Sequence, residues 1–381
     1  MELALYCPDC GYYDREEDIV GRGGDYFTSV SVGPLFGELL AFQFAEWLQG
    51  GARGARPGDR VGEGMEVMRI VEAGAHGGDL ARDILAWLWE HRPGLFDRVE
   101  YWIIEPSEAR QARQKRKLAE LGNKVRWVRE LASLTERAFP AAGVSPPVGL
   151  RGIVFANELL DAMPVHRLGW DAKARAWFEW GVTCEAGRLA WIQIKDEGTR
   201  AGGRQPSAPL SSSQLQMPVQ SGLLEVLPEG FTTEVSPAAD QWWREAAKAL
   251  EWGRLITIDY GLTGEEFLVP ERKEGTLRGY HHHQLARDVL ANPGRQDITA
   301  QVNFTGIRAA GESAGLRTNA FLTQAQFLTR IAARTWNDEG SFGKWTPART
   351  RQFQTLTHPE HLGRSFRVLV QERSSPSVPE H

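Results

Sequence analysis

Cysteine, long apolar runs and an excess of charge of one sign are all scarce in this chain of 381 residues. Three cysteines are too few for a disulfide framework at this length, which favours a reducing compartment. No run approaches the roughly 18 consecutive apolar residues that a membrane helix needs. The formal net charge of −5 disfavours the broad basic face by which proteins bind duplex nucleic acid. We therefore expect a globular protein with neither membrane insertion nor a nucleic-acid partner.

The N-terminus shows no sign of a leader sequence, and two polar segments further along the chain show no sign of a folded element. Residues 1–7 lack the basic start and apolar stretch of a leader, and acidic residues follow at 14, 16, 17 and 18. This pattern predicts a cytoplasmic location. Residues 197–222 are rich in Gly, Ser, Pro and Gln, which predicts a mobile loop. Residues 374–381 are polar with two prolines, which predicts a frayed tail.

Short β-type runs alternate with helical stretches along most of the chain. Arg69–Ala73, Val99–Glu105 and Gly152–Ala156 are largely apolar runs, and helix patterns follow the first two. Such alternation predicts an α/β fold with a parallel sheet that is covered on both faces. Tryptophan-rich alternation within residues 165–252 is more typical of an antiparallel insert. Leu35–Leu48 has the spacing of an amphipathic helix.

A glycine-rich turn between a strand and a helix is the first candidate ligand site. Glu72 lies at the end of the strand, and Gly74, His76 and Gly78 belong to the turn. Glycines let the backbone approach a ligand, and the next helix offers free N–H groups, although any α/β protein can carry such a turn. Glu105 ends the next strand, where nucleotide-binding folds place a carboxylate on ribose hydroxyls. Together they predict an adenosine-type ligand, either a dinucleotide or S-adenosylmethionine.

Polar residues after the β-type run Gly152–Ala156 form the second candidate site. Asn157, Glu158 and Asp161 follow that strand, at the sheet edge where open α/β folds carry their sites. Two carboxylates and an amide can bind a guanidinium or ammonium group, and the alternative is that Asp161 or Asn157 caps a following helix. A third candidate is the polar loop 23–29 with Asp25, which is either a lid or a helix-capping stretch.

Nine short motifs, taken together, resemble one protein family over roughly residues 3–330. In chain order they are Gly11-Tyr-Tyr13, Gly24-Asp-Tyr-Phe-Thr-Ser29, Phe36-Gly-Glu38, Glu72-x-Gly74, Ala156-Asn-Glu158, Asp161-Ala-Met-Pro164, Ile258-Asp-Tyr-Gly261, Thr276-Leu-Arg278 and Asp297-Ile-Thr-Ala300. By these motifs the chain resembles the MidA-like family of class I S-adenosylmethionine-dependent methyltransferases. That family includes a respiratory-complex assembly factor with protein-arginine methyltransferase activity.

The resemblance implies a fold and a domain plan. The fold is a Rossmann-like class I methyltransferase sheet with an N-terminal helical lid and an inserted β-rich region. We expect the lid region at residues 1–60, the cofactor-binding α/β core at 61–164 and 253–373, and the insert at 165–252.

The resemblance also implies a role for each candidate residue, with S-adenosylmethionine as the cofactor. Glu158 binds the acceptor, with support from the other catalytic candidates, which are Asp161, Asp25 and Asn157. The residues expected to bind the cofactor are Glu72, Gly74, His76, Gly78, Glu105 and Asn157.

The sequence therefore predicts a methyltransferase that modifies a protein side chain, with arginine favoured. A respiratory-complex subunit is a candidate substrate protein by the family resemblance. One alternative is an assembly factor that binds S-adenosylmethionine without catalysis. His76 replaces a family glycine and Ser31 a family glutamate, and both changes favour that alternative. The other is a nicotinamide-dependent oxidoreductase, which the incomplete G-x-G-x-x-G pattern disfavours.

No metal site is expected from the sequence. Cys7-x-x-Cys10 resembles half of a zinc knuckle or a redox pair, but no second cysteine pair follows it. The run His281–His283 is more typical of a surface loop.

Overall fold

The centre of the protein, seen in a computed structural model, is an eight-stranded sheet. The described residues are 1–14, 28–51, 67–134, 149–194, 226–281 and 284–374. Asp25, the predicted mobile loop 197–222 and residues 375–381 of the predicted tail lie outside them.

The strands are β1 (Met68–Ala73), β2 (Val99–Ile104), β3 (Val125–Val128), β4 (Leu150–Asn157), β5 (His166–Asp171), β6 (Ala176–Glu185), β7 (Arg188–Ile194), β8 (Thr232–Val235), β9 (Leu250–Leu262), β10 (Arg278–His281), β11 (Gln284–Leu285), β12 (Asp297–Thr299), β13 (Val302–Asn303), β14 (Arg317–Thr323) and β15 (Phe366–Arg373). The helices are α1 (Glu2–Tyr6), α2 (Leu35–Gly51), α3 (Asp79–His91), α4 (Pro93–Arg98), α5 (Glu108–Lys117), α6 (Pro237–Ala249), α7 (Gly264–Phe267), α8 (Phe304–Ser313), α9 (Gln324–Thr335), α10 (Glu339–Phe342), α11 (Pro347–Thr357) and α12 (Leu362–Ser365).

The order of strands in the main sheet is β3-β2-β1-β4-β9-β15-β14, and β13 pairs with the end of β9. The first five strands are parallel, whereas β15 is antiparallel to both of its neighbours. Dinucleotide-binding folds instead continue the parallel order through a sixth strand. The antiparallel β15 is therefore a departure from the fold expected of the nicotinamide-dependent alternative.

Helices cover both faces of the sheet, as its apolar strands require. In β4, every residue except Arg151 is buried. One face packs Ile70 and Ile153 against α2, α3 and α9, and the other packs Val71 and Val154 against α6 and α8. Because apolar side chains project from both faces of the sheet, the sheet is stable only between two helical layers.

Helix α2, which lies within the predicted lid region 1–60, is part of the core. Phe36, Leu39 and Phe44 are fully buried, and the helix packs against α3. The described parts of the lid region that contact the candidate site below are residues 1–14 and Ser29. Neither α2, with 17 residues, nor any other helix of the described residues is long and apolar enough to cross a membrane.

A second sheet, β7-β6-β5-β8, is antiparallel and contains the tryptophan-rich alternation. The insert was predicted to continue to residue 252, but its last strand, β8, ends at Val235. The chain then returns to the main layers, because Trp243 and Ala246 of α6 are fully buried in the core on one face of the main sheet.

A third sheet, β11-β10-β12, was not predicted from the sequence. Its strands have two, four and three residues, which is too short for a recognisable alternation. The sheet brings Asp297, at the start of β12, toward the end of the main sheet.

Candidate active site

Parallel strands bring the two predicted constellations to one edge of the main sheet. Ala73, at the end of β1, pairs with Ile104 of β2 and Ala156 of β4. Asn157 in turn pairs with Ile258 of β9. The glycine turn, Glu105 and the polar residues after β4 therefore share the edge at which open α/β sheets bind ligands.

The turn after β1 has the backbone geometry of a ligand-binding loop. Gly74 and Gly78 have positive φ angles of 76° and 86°. Gly78 is the N-cap of α3, and no side chain caps this end of the helix. A Cβ atom at Gly78 would lie 3.1 Å from the Leu118 Cδ1 atom, in a backbone conformation that favours glycine. The first N–H groups of α3 are therefore suited to a polar or anionic ligand group.

Two titratable residues, one just before the turn and one within it, have different environments. Glu72 is buried and accepts a hydrogen bond from the Tyr101 hydroxyl at 2.7 Å, and burial raises the pKa of Glu72 to about 7. The His76 side chain is partly exposed. Desolvation by the surrounding protein, followed by the positive charges of Arg113 and Arg110, lowers the pKa of His76 to about 4. His76 is therefore neutral at neutral pH and adds no positive charge to the turn.

Glu105 is held firmly after β2. Its Oε1 atom accepts hydrogen bonds from the Ser107 backbone N–H at 3.0 Å and from Arg110 at 2.9 Å. Its Oε2 atom accepts one from Gln114 at 3.1 Å. Burial raises the pKa of Glu105, and the charge of Arg110 opposes that shift. Since each carboxylate oxygen has two lone-pair sites, Oε2 retains one for a further donor.

Four acidic residues lie near one another at this edge of the sheet. Glu158 and Asp161 follow β4, Asp259 lies within β9 and Asp297 begins β12, and we call these four the acidic cluster. The Glu158 Oε1 atom accepts hydrogen bonds from Asn157 Nδ2 at 3.2 Å and from the Ser29 backbone N–H at 3.3 Å. Glu158 has a φ of 52°, which is uncommon for a residue with a side chain.

Burial, together with repulsion at Glu158 and Asp161, favours the protonated forms of three members of the cluster. Burial, followed by the charge of Asp259, raises the pKa of Glu158 to about 8. The same two causes raise the pKa of Asp161 well above its ordinary range, and burial raises that of Asp259 to about 7. Within the described residues, none of these three carboxyl groups forms an ion pair with Lys or Arg. The cluster is therefore suited to a cationic ligand.

Asp259 fixes the turn that carries Glu158 and Asp161. Its Oδ2 atom accepts hydrogen bonds from the backbone N–H groups of Leu159 at 3.2 Å and Leu160 at 2.8 Å. Its Oδ1 atom accepts one from the Tyr260 N–H at 2.8 Å. The alternative that Asp161 or Asn157 caps a following helix is wrong, because residues 158–165 contain no helix and lead directly into β5.

The first fourteen residues, which we call the N-terminal segment, contact the site at several points. The Tyr6 hydroxyl donates to the Ala162 carbonyl at 3.0 Å, and the Tyr13 hydroxyl donates to Asp297 at 2.7 Å. Asp14 lies 3.6 Å from Arg110, the residue that also binds Glu105. The N-terminal segment therefore connects the acidic cluster to the Glu105 region.

Sequence reasoning assigned no role to Asp259, Asp297 or the two tyrosines. A signal was present for Asp259, because it follows the largely apolar run Leu255–Ile258 much as Glu105 follows the apolar part of its own strand. The Ser31 hydroxyl donates to the Thr28 carbonyl at 2.8 Å, so it forms a local turn at the position where the resemblance predicts a carboxylate. No group of three or more potential metal ligands was found in the described part of the chain.

Residues 39–322 match a protein family described as "Putative S-adenosyl-L-methionine-dependent methyltransferase". This range is most of the chain, so the chain belongs to that family. The predicted resemblance, the methyltransferase activity and the S-adenosylmethionine cofactor are thereby confirmed. The nicotinamide-dependent and non-catalytic alternatives are correspondingly disfavoured.

Two relatives carry names that include an acceptor and a location. One is the mitochondrial protein arginine methyltransferase NDUFAF7 homolog of Drosophila melanogaster, 26% identical over 97% of this chain and 79% of its own. The other is the mitochondrial protein arginine methyltransferase NDUFAF7 of Homo sapiens, 26% identical over 97% of this chain and 78% of its own. The predicted cytoplasmic location is wrong by this comparison, because both relatives are named as mitochondrial.

A solved structure of a Burkholderia thailandensis protein matches over the whole fold. It is 28% identical, covers 99% of this chain and 87% of its own, and superposes with a TM-score of 0.74. That protein was crystallised with S-adenosyl-homocysteine. The comparison confirms the predicted α/β fold of the class I methyltransferases.

Proposed function

We propose that this methyltransferase transfers the methyl group of S-adenosylmethionine to an arginine side chain of a protein. The observation that carries the proposal is the acidic cluster, in which Glu158, Asp161 and Asp259 have raised pKa values and no Lys or Arg ion-pair partner among the described residues. A guanidinium supplies the missing positive charge and several N–H donors. The names of the fly and human relatives support the same acceptor.

The sheet edge fits S-adenosylmethionine, and we propose that the residues around the glycine turn hold it. Asn157 Oδ1 is a buried acceptor with no hydrogen-bond donor from the described protein. Glu105 retains an acceptor site for a ribose hydroxyl, and Gly74 and Gly78 allow close backbone approach. Glu72, His76 and Asn157 complete the proposed set.

The protein's own residues would align the acceptor and take its proton. S-adenosylmethionine supplies a methyl group for an in-line displacement, which depends chiefly on alignment. Glu158 and Asp161 bind the guanidinium by charge-assisted hydrogen bonds, and its charge lowers the pKa of both carboxyl groups. Because a guanidinium has a pKa above about 12, the attacking nitrogen must lose its proton to a nearby base as the methyl group arrives. We propose Glu158 for that role, and the hydrogen bonds of Asp259 to the turn after β4 support its position.

Labelling in cell extract tests the proposed acceptor. Extract from a strain that lacks this protein is incubated with labelled S-adenosylmethionine and purified protein, and mass spectrometry identifies the modified residues. We expect label on arginine, and the family resemblance supports a respiratory-complex subunit as the substrate protein. Label confined to another residue type would contradict the arginine assignment, and no label in an extract with all native partners would contradict the proposed function.

Removal of the Glu105 carboxylate should weaken cofactor binding by about tenfold or more, because a charged acceptor contributes about 1.5–3 kcal/mol. Isothermal titration of Glu105→Ala with S-adenosylhomocysteine measures the change. Glu108→Ala is the matched control, since Glu108 begins α5 nearby but its side chain is 82% exposed. Unchanged affinity in a folded Glu105→Ala protein would remove Glu105 from the cofactor site.

The catalytic efficiency toward the acceptor should rise with pH and level off above about pH 8. The pKa of Glu158 is about 8, so the carboxyl group is mainly protonated at lower pH and binds a guanidinium poorly. Initial labelling rates between about pH 6 and pH 9 measure the profile. The step near pH 8 should be absent from Glu158→Gln, and a flat wild-type profile would contradict the assignment.

A further inference from the structure

The turn Cys7–Cys10 carries two thiols that the proposed reaction does not use. The Cys10 thiol donates a hydrogen bond to Cys7 Sγ, and the two sulfur atoms are 3.0 Å apart. Cys10 is exposed and Cys7 is half-buried, so solvent reaches the pair. The third cysteine, Cys184, is exposed near the end of β6.

The backbone of this turn holds the two cysteines at a separation suited to a disulfide. The Cys7 carbonyl accepts hydrogen bonds from the N–H groups of Cys10 at 3.3 Å and Gly11 at 2.7 Å. The first bond closes a four-residue β-turn, which keeps the terminal Cα atoms within about 7 Å. Disulfides span about 4.4–6.8 Å between Cα atoms. Pro8 occupies the second position of the turn, where its fixed φ favours this geometry.

Gly11 keeps the turn tight through its lack of a side chain. A Cβ atom at Gly11 would lie 2.5 Å from the Cys7 nitrogen and 2.7 Å from the Cys7 carbonyl oxygen. Any other residue would push the backbone of Cys7 away from the end of the turn. The sequence from Cys7 to Gly11 therefore specifies the close approach of the two thiols.

We propose that Cys7 and Cys10 are a reversible redox pair that closes to a disulfide within the N-terminal segment. Tyr6 precedes the turn and contacts Ala162, while Tyr13 follows it and contacts Asp297. A covalent link across the turn fixes the chain between these two contacts. Oxidation thus stiffens the part of the N-terminal segment that lies against the acidic cluster.

Oxidation of the pair by a peroxide balances without any other reactant. The Cys7 thiolate attacks one peroxide oxygen, so an S–O bond forms, the O–O bond breaks and the leaving oxygen departs as water after protonation. The Cys10 thiolate then attacks the Cys7 sulfur, which forms the S–S bond and releases the second oxygen as water. Two thiols lose two electrons and two protons, and hydrogen peroxide takes up both and becomes two water molecules. A dithiol reductant reverses the reaction by exchange.

Cys7 is the better nucleophile of the two. The Cys10 thiol, followed by the backbone N–H groups of Asp9 and Cys10, donates to Cys7 Sγ and lowers the pKa of Cys7. The hydrogen bond to Cys7 raises the pKa of Cys10 in turn. Cys7 is therefore the thiol that more readily forms a thiolate. It attacks the peroxide in the first step, and Cys10 attacks the oxidised Cys7 sulfur in the second.

Thiol counting on the purified full-length chain tests the pair. The Cys184→Ser protein is reduced, desalted and treated with equimolar hydrogen peroxide, and free thiols are then blocked with N-ethylmaleimide. We expect both thiols to disappear together, with a monomer lighter by two hydrogens and the link within the tryptic peptide 1–15. Dithiothreitol should restore both thiols, and amide hydrogen exchange at Cys10 and Gly11 should be slower in the oxidised form.

Single-cysteine variants in the same background test which sulfur reacts first. Cys10→Ser should give more dimedone-trapped sulfenic acid than Cys7→Ser. Equal trapping would overturn the assignment of Cys7 as the attacking thiol. Persistent free thiols, sulfinic acid on one cysteine or disulfides between chains in the Cys184→Ser protein would each overturn the redox pair.

Discussion

Replacement of Glu158 by glutamine should lower the rate of methyl transfer by about 10²-fold or more. The amide side chain retains an oxygen that accepts the Ser29 N–H, but it has no charge for a guanidinium and takes up no proton. In the proposed role, the lost charge and proton acceptor stabilise the transition state of methyl transfer and do not contact the cofactor product. S-adenosylhomocysteine affinity should therefore change by less than about twofold. Labelling rates in extract and isothermal titration measure the two quantities.

Glu245→Gln is the matched control for this substitution. Glu245 is an exposed carboxylate on α6 that accepts a hydrogen bond from Gln241 at 2.8 Å, and its replacement should leave both quantities unchanged. Equal labelling by the wild type and Glu158→Gln would exclude Glu158 as the acceptor-binding residue. A parallel loss of S-adenosylhomocysteine affinity would instead show that Glu158 supports the cofactor site.

Replacement of Asp259 by alanine should lower the free energy of unfolding by about 3 kcal/mol, because three N–H groups lose their buried acceptor. The cost should be smaller near pH 8 than near pH 6. Folding raises the pKa of Asp259 to about 7, so its contribution to stability is present at low pH and is lost as the pH rises through that value. Urea denaturation followed by tryptophan fluorescence at both pH values measures this difference.

Asp171→Ala separates the effect of burial from that of hydrogen-bond number. The Asp171 carboxylate accepts backbone hydrogen bonds from Lys173 at 2.9 Å and Ala174 at 2.8 Å, but in an exposed turn where water replaces it. We expect its loss to cost less than about 1 kcal/mol. Equal costs at the two positions would show that Asp259 is no more important to the fold than a surface turn residue.

The sheet could be predicted because its strands are apolar runs followed by helix patterns or polar turns. Glu72 and Glu105 stand near the ends of two such strands, and their common edge follows from parallel pairing. The C-terminal boundary of the insert was harder to predict from the sequence, because α6 and the antiparallel sheet both contain tryptophan. Only packing shows that Trp243 belongs to the main core.

The acidic cluster could be predicted only in part, because its members are distant in sequence. Glu158 and Asp161 follow β4 directly, whereas Asp259 becomes their neighbour through the pairing of β4 with β9. Asp297 depends on β12, a strand of three residues without a sequence pattern. Local spacing contains no information on which distant strands pair, so the raised pKa values of Glu158, Asp161 and Asp259 could not be anticipated.

The position of β15 has a consequence for how the chain is synthesised. This last described strand lies inside the sheet, between β9 and β14, rather than at its edge. About 100 residues separate the end of β9 at Leu262 from Phe366, and a ribosome needs roughly 5–20 s to add them. During that interval residues Gly253–Tyr260 of β9 lack their β15 partner, and the N–H and C=O groups on that side of the strand are open to pairing with other chains. A nascent chain thus keeps this edge of β9 exposed until β15 is synthesised, and one that terminates before Phe366 leaves the centre of the sheet open.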